Sequence, residues 1–146
     1  MMGYKDWNTP QKFNSWSLLL SLKDGDLGIS HRRGAGRATE VTLVKNFEFG
    51  RDHDIVIGQV MSEDRDGMVE VWIDGKRVYS ETSIDHGMGD FDKDDNQGED
   101  SHSQFKLGMY NHSPDDYRDG EVRIVYYDNV TWYTGPDGYD IVDPSN

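Results

Sequence analysis

Residues Ile55–Tyr79 read IVIGQVMSEDRDGMVEVWIDGKRVY, and their punctuation decides the fold class. Short runs with period-two alternation and many β-branched or aromatic residues mark strands at His53–Ser62, Met68–Asp74 and Lys76–Ser80. Between them stand Asp66-Gly67 and Asp74-Gly75, pairs that supply the positive φ angles tight hairpins require. Working outward, the same signals recur at Trp16–Leu22, Asp26–Arg32, Ala38–Val44, Gln104–Asn111 and Val122–Tyr133, with Asp24-Gly25 as a further turn. About eight short strands and no amphipathic helix predict an all-β chain, an antiparallel β-sandwich of the jelly-roll kind in preference to a barrel. Residues 1–133 form the expected single domain. A Pro, Gly and Asp-rich tail, 134–146, is expected to lie over the surface or fray, and 87–103 to form a long acidic loop.

With 146 residues the chain has the size of one domain. A net charge of −13 disfavours nucleic acid as a general partner, because phosphate binding needs a cationic field that this surface lacks overall. The absence of cysteine removes disulfides and thiolate metal sites, leaving core packing, with structural calcium as an addition, to hold the fold. No run reaches the roughly 18 apolar residues of a membrane helix, and MMGYKDWNTPQKF lacks the apolar centre of a signal peptide. A soluble chain with no membrane partner is expected, acting outside a cell or within a larger particle, with oligomerisation left open.

Three segments carry a resemblance: Val71-Trp72-Ile73-Asp74-Gly75-Lys76, Phe105-Lys106-Leu107-Gly108-Met109-Tyr110 and Tyr126-Tyr127-Asp128-Asn129-Val130. In this order and spacing they resemble the C-terminal half of the concanavalin A-like jelly-roll polysaccharide lyases, nearest to the heparin lyase I and glucuronan lyase groups. The resemblance implies an acidic, uronate-containing polysaccharide as partner, cleaved by β-elimination without a required cofactor. The lyases carry a Gln-x-His strand earlier in the chain; none occurs here, and the chain looks like a trimmed jelly roll or the distal part of one. A non-catalytic carbohydrate-binding module, or a structural module appended to a larger viral or other assembly, is the alternative.

β-Elimination needs a neutralised carboxylate, a base for the C5 proton and an acid for the leaving oxygen. By resemblance Tyr110 occupies the tyrosine strand of the lyases. By alternation it shares a face with Gln104, Lys106 and Gly108, opposite Phe105, Leu107 and Met109. Lys106 is a candidate partner of the substrate carboxylate and Gln104 a candidate donor to it. The segment SHRRGAGR concentrates His31, Arg32, Arg33 and Arg37 in an otherwise acidic chain. Arginine forks match carboxylates bidentately, and His31 is the candidate base, with His112 a second. A solvated hairpin tip is the bland alternative for this cluster. Asp92, Asp94 and Asn96 have the alternate spacing of oxygen ligands that suits calcium, against the alternative of a self-repelling surface loop. Trp72 and Trp132 sit in apolar alternation and are expected in the core.

Overall fold

The computed structural model describes residues 17–33, 38–62, 65–86, 105–109 and 119–145. Six strands and one short helix follow in chain order: β1 (Leu18–Lys23), β2 (Asp26–Arg32), β3 (Ala38–Val44), β4 (Ile55–Val60), β5 (Gly67–Ile73), β6 (Lys76–Ile84) and α1 (Gly138–Val142). They form two antiparallel three-stranded sheets, ordered β1-β2-β3 and β4-β5-β6.

Two of the three Asp-Gly pairs close hairpins as their chemistry requires; at the third, neither Asp66 nor Gly67 takes a positive φ, and Gly67 begins β5 instead. Asp24 and Gly25 take φ of 54° and 86°, Asp74 and Gly75 of 50° and 74°, placing Lys23 opposite Asp26 and Ile73 opposite Lys76. Two successive positive φ angles give the turn whose twist matches that of the strands it joins.

Alternation then sends one set of side chains inward. Leu27 and Ile29 of β2, Val69, Val71 and Ile73 of β5 and Ile84 of β6 form one buried cluster, flanked by Leu18, Val41, Leu43, Val44, Phe47, Ile57, Val78 and Tyr79. The cluster draws on both sheets, so their inner faces share a core, the arrangement of a β-sandwich. Each fully buried aliphatic side chain contributes about 1.5–3 kcal/mol. The link from β3 to β4 is tied to the β5–β6 turn through Asp74, which accepts hydrogen bonds from Arg51 (2.8 Å) and the Asp54 main chain (3.0 Å), with His53 Nδ1 at 3.0 Å from the same carboxylate.

Two expected strands are not strands. Among the described residues, neither 105–109 nor 122–133 joins a ladder. Phe105, Leu107 and Met109 are all exposed, as is Val122 at 78%. Alternation makes a chain suited to pleating, but a strand exists only where an edge offers its N–H and C=O groups, and among the described residues no strand pairs with these segments. Positive φ at Gly108 and Asn129 further interrupts them. For the same reason Trp132 is not a core residue; it is 63% exposed, with Phe105 as its ring neighbour at 5.2 Å. Trp72 packs on the outer side of its sheet, stacked on Tyr139 of α1 at 4.4 Å. The tail therefore holds a helix that was not expected and lays it against the sheet. No helix among the described residues is long and apolar enough to cross a membrane.

Candidate functional site

The end of the sandwich where β2 and β6 finish carries a polar cluster in place of aliphatic packing. On β2 the inward positions run Leu27, Ile29, His31, so the third inward side chain is an imidazole, fully buried at 0% exposure. Opposite it β6 presents Tyr79 and Glu81, two residues apart and therefore on one face. Tyr79 Oη donates to Glu81 Oε2. Its oxygen is left to accept from His31 Nε2–H at 2.8 Å, with Glu81 Oε2 at 3.2 Å from the same nitrogen. Arg33, one residue beyond β2, donates from Nη2 to Glu81 Oε1. Three side chains, drawn from two sheets, thus converge on the Glu81 carboxylate.

Burial sets the proton positions. Desolvation pushes the His31 pKa down, and the nearby Arg33 charge pushes it further, against an opposing contribution from the Arg32 main chain. Desolvation raises the Tyr79 pKa, partly offset by Arg33. At neutral pH the pair is accordingly a neutral imidazole and a protonated phenol.

Glu81 and Arg33 also line a cleft of about 350 Å³, together with Arg65, Ser83, Ile84 and Asp85. The next residue, His86, is again fully buried. Its main-chain N–H donates to Ser62 O at 2.7 Å, and its Nδ1 accepts from the Ser62 N–H at 3.4 Å. Its pKa is lowered by burial first and by His31 second, with Asp85 opposing.

Of the residues singled out in the sequence, His31 and Arg33 come together here. Arg32 is adjacent in sequence but buried, at 4% exposure. Lys106 lies exposed on the 105–109 segment. Tyr110, Arg37, Gln104 and His112 lie outside the described residues, as do Asp92, Asp94 and Asn96 with their expected calcium. Among the described residues no group of three or more His, Asp or Glu could hold a metal ion.

Tyr79, Glu81, His86 and Arg65 were not legible as site residues. A strand ending at Ser80 hides Glu81; β6 runs to Ile84, and that extension puts Tyr79 and Glu81 on a common face. The signal that could have found Tyr79 and Glu81 is the strand-forming run from Val78 to Thr82, which continues past the expected end; no such signal marks His86 or Arg65.

A family model described as Polysaccharide lyase matches residues 3–131. No curated protein and no solved structure matches the chain.

Proposed function

Since the chain belongs to the polysaccharide lyase family, we propose that it binds an acidic, uronate-containing polysaccharide at the cleft lined by Arg33 and Arg65 and cleaves it by β-elimination. The observation that carries this proposal is the convergence of Arg33, Tyr79 and His31 on Glu81 at the cleft wall. A chain with net charge −13 repels polyanions everywhere except where guanidinium groups are concentrated. Glu81 and Asp85 oppose an anion in the same cleft; Arg33 and Arg65 offset them.

In this scheme Arg33, half-exposed with its side chain at 54%, pairs with the uronate carboxylate and stabilises the enolate charge that develops when C5 loses its proton. The C5–H electrons form the C4–C5 double bond, the C4–O bond breaks, and the leaving oxygen takes a proton. Tyr110, four residues after Lys106 in sequence, exchanges these protons, as the family resemblance implies. His31, buried at 0% exposure, meets no sugar; it acts through the Tyr79 hydroxyl as a positioning residue.

Incubation with glucuronan, alginate and heparin, following the ultraviolet absorbance of the unsaturated product, tests the scheme. Turnover of at least one polymer is expected, falling by about 10²-fold or more in Tyr110→Phe and lost with polymer retention in Arg33→Gln. No turnover of any of the three, or full activity in both variants, defeats it.

The burial of His31 favours a second reading, a non-catalytic carbohydrate-binding or appended module. It predicts retention on an immobilised acidic glycan without product.

A further inference from the structure

Among the described residues, seven other than glycine take a positive φ. Five of them, Asp24, Asn46, Asp74, Asn129 and Asp137, belong to the two types whose short polar side chains tolerate the left-handed region. The other two are Arg65, at 64°, and Ser83, at 61°. Both line the same cleft, with Arg33, Glu81, Ile84 and Asp85. A left-handed backbone at an ill-suited residue persists only where the surrounding structure enforces it, and such positions gather at ligand sites.

The enforcement at Ser83 is visible in the ladder. Met68 lies opposite Thr82 and Gly67 opposite Ile84, so Ser83 is an extra residue, a β-bulge in β6. A bulge whose extra residue is left-handed ordinarily has glycine there. Gly67 admits the bulge from the other strand: a Cβ at this inward position of β5 would stand 2.5 Å from Ile84 O and 2.7 Å from His86 Nδ1, so the two main chains approach more closely than a side chain at 67 would allow. The bulge also resets which residues face the core. Tyr79 and Glu81 face inward, and unbroken alternation would send Ser83 inward after them. Instead Ile84 is the next inward residue, at 2% exposure, and Ser83 is left exposed on the cleft.

The chemistry of the lining gives Ser83 a distinct place. The Arg33 and Arg65 guanidiniums only donate hydrogen bonds, and the Glu81 and Asp85 carboxylates only accept them. Ser83 supplies the one uncharged polar side chain among the described lining residues, a hydroxyl that does both. A sugar hydroxyl also does both. We propose that Ser83 is a substrate-contacting residue: its hydroxyl hydrogen-bonds a ring hydroxyl of the uronate whose carboxylate pairs with Arg33, and the bulge in β6 is what delivers it to the cleft. This inference rests on the reading of the cleft as the polysaccharide site.

Affinity electrophoresis through gels holding glucuronan, alginate or heparin, at several salt concentrations, is the test, with urea midpoints measured alongside. The proteins are the wild type, Ser83→Ala, Ser83→Gly and Arg33→Gln. Both Ser83 variants should bind about three- to tenfold more weakly, the loss of one neutral hydrogen bond, with the salt dependence unchanged because no charge is removed. Ser83→Gly should have a urea midpoint at or above that of the wild type, since glycine takes a φ of 61° without strain, so its weaker binding is not a folding defect. Arg33→Gln should lose affinity and salt dependence together. Wild-type affinity in both Ser83 variants, or in Ser83→Gly alone, overturns the proposal, and with Arg33→Gln impaired it leaves the lyase reading standing. A lowered midpoint in Ser83→Gly overturns it too, because the left-handed placement would then be wrong. If the wild-type protein binds none of the three polymers, the lyase reading fails and this proposal fails with it.

Discussion

Gly67→Ala is the substitution whose outcome the geometry constrains most tightly. The added Cβ would stand 2.5 Å from Ile84 O, 2.7 Å from His86 Nδ1 and 2.8 Å from His86 Cε1. The first is main chain of the strand directly paired with Gly67, and the others belong to a ring with no exposed surface. Neither can move aside by a rotamer change, so the end of the β5–β6 ladder must open or the His86 ring must leave its seat. Overpacking of this kind costs about 1–3 kcal/mol, partly offset by about 0.4–1 kcal/mol from the stiffer unfolded chain. A net loss of about 1–2 kcal/mol is expected, read as a lower urea midpoint with an unchanged slope and a melting temperature lower by roughly 4 °C per kcal/mol at this chain length. Gly58→Ala is the internal control. Its Cβ would meet Trp72 Cζ3 at 3.5 Å, an ordinary contact, and the substitution should be neutral or stabilising. Equal effects at the two glycines, or a gain at Gly67, would refute the placement of His86 between the sheets.

Ile29→Ala, at a position with no exposed surface, should cost about 2–5 kcal/mol, whereas Val122→Ala at 78% exposure should stay within about 0.5 kcal/mol in the same denaturation experiment; a large loss at Val122 would mean that this segment is packed. His31 and His86 have pKa values lowered by burial, so the unfolded chain binds more protons below its own histidine value of about 6.5. Stability is therefore fully present above that pH and falls as the pH drops through the window beneath it. Denaturation midpoints measured from pH 8 to 5 should show this decline, and His86→Gln should flatten it; an unchanged slope contradicts the burial assignment. The raised Tyr79 pKa acts at the other end: its contribution is complete below about 10 and is lost as the pH rises through the folded value, a loss that Tyr79→Phe abolishes.

Local chemistry made much of the fold legible in the sequence. The positive φ angles at Asp24-Gly25 and Asp74-Gly75 follow from the residues themselves, as does the pleated alternation of β2 and β5, because both are properties of a few consecutive residues. His31 and Arg33 could be singled out because a basic cluster is conspicuous in an acidic chain. Alternation misled at Val122–Tyr133, where the pattern of a strand exists but, among the described residues, no strand pairs with it. It fell short at Ser80, where ending β6 early concealed Glu81.

Turn pairs and alternation thus determined that this chain builds antiparallel hairpins, and three motif segments carried its resemblance to a family. Only the tertiary structure decided that His31 lies sealed between sheets, bonded to Tyr79 from 48 residues away, and that His86 shares its layer. The reason is physical. A hairpin is closed by neighbours along the chain, whereas the partner of a buried imidazole is chosen by how two separately formed sheets stack, and no local pattern records that choice.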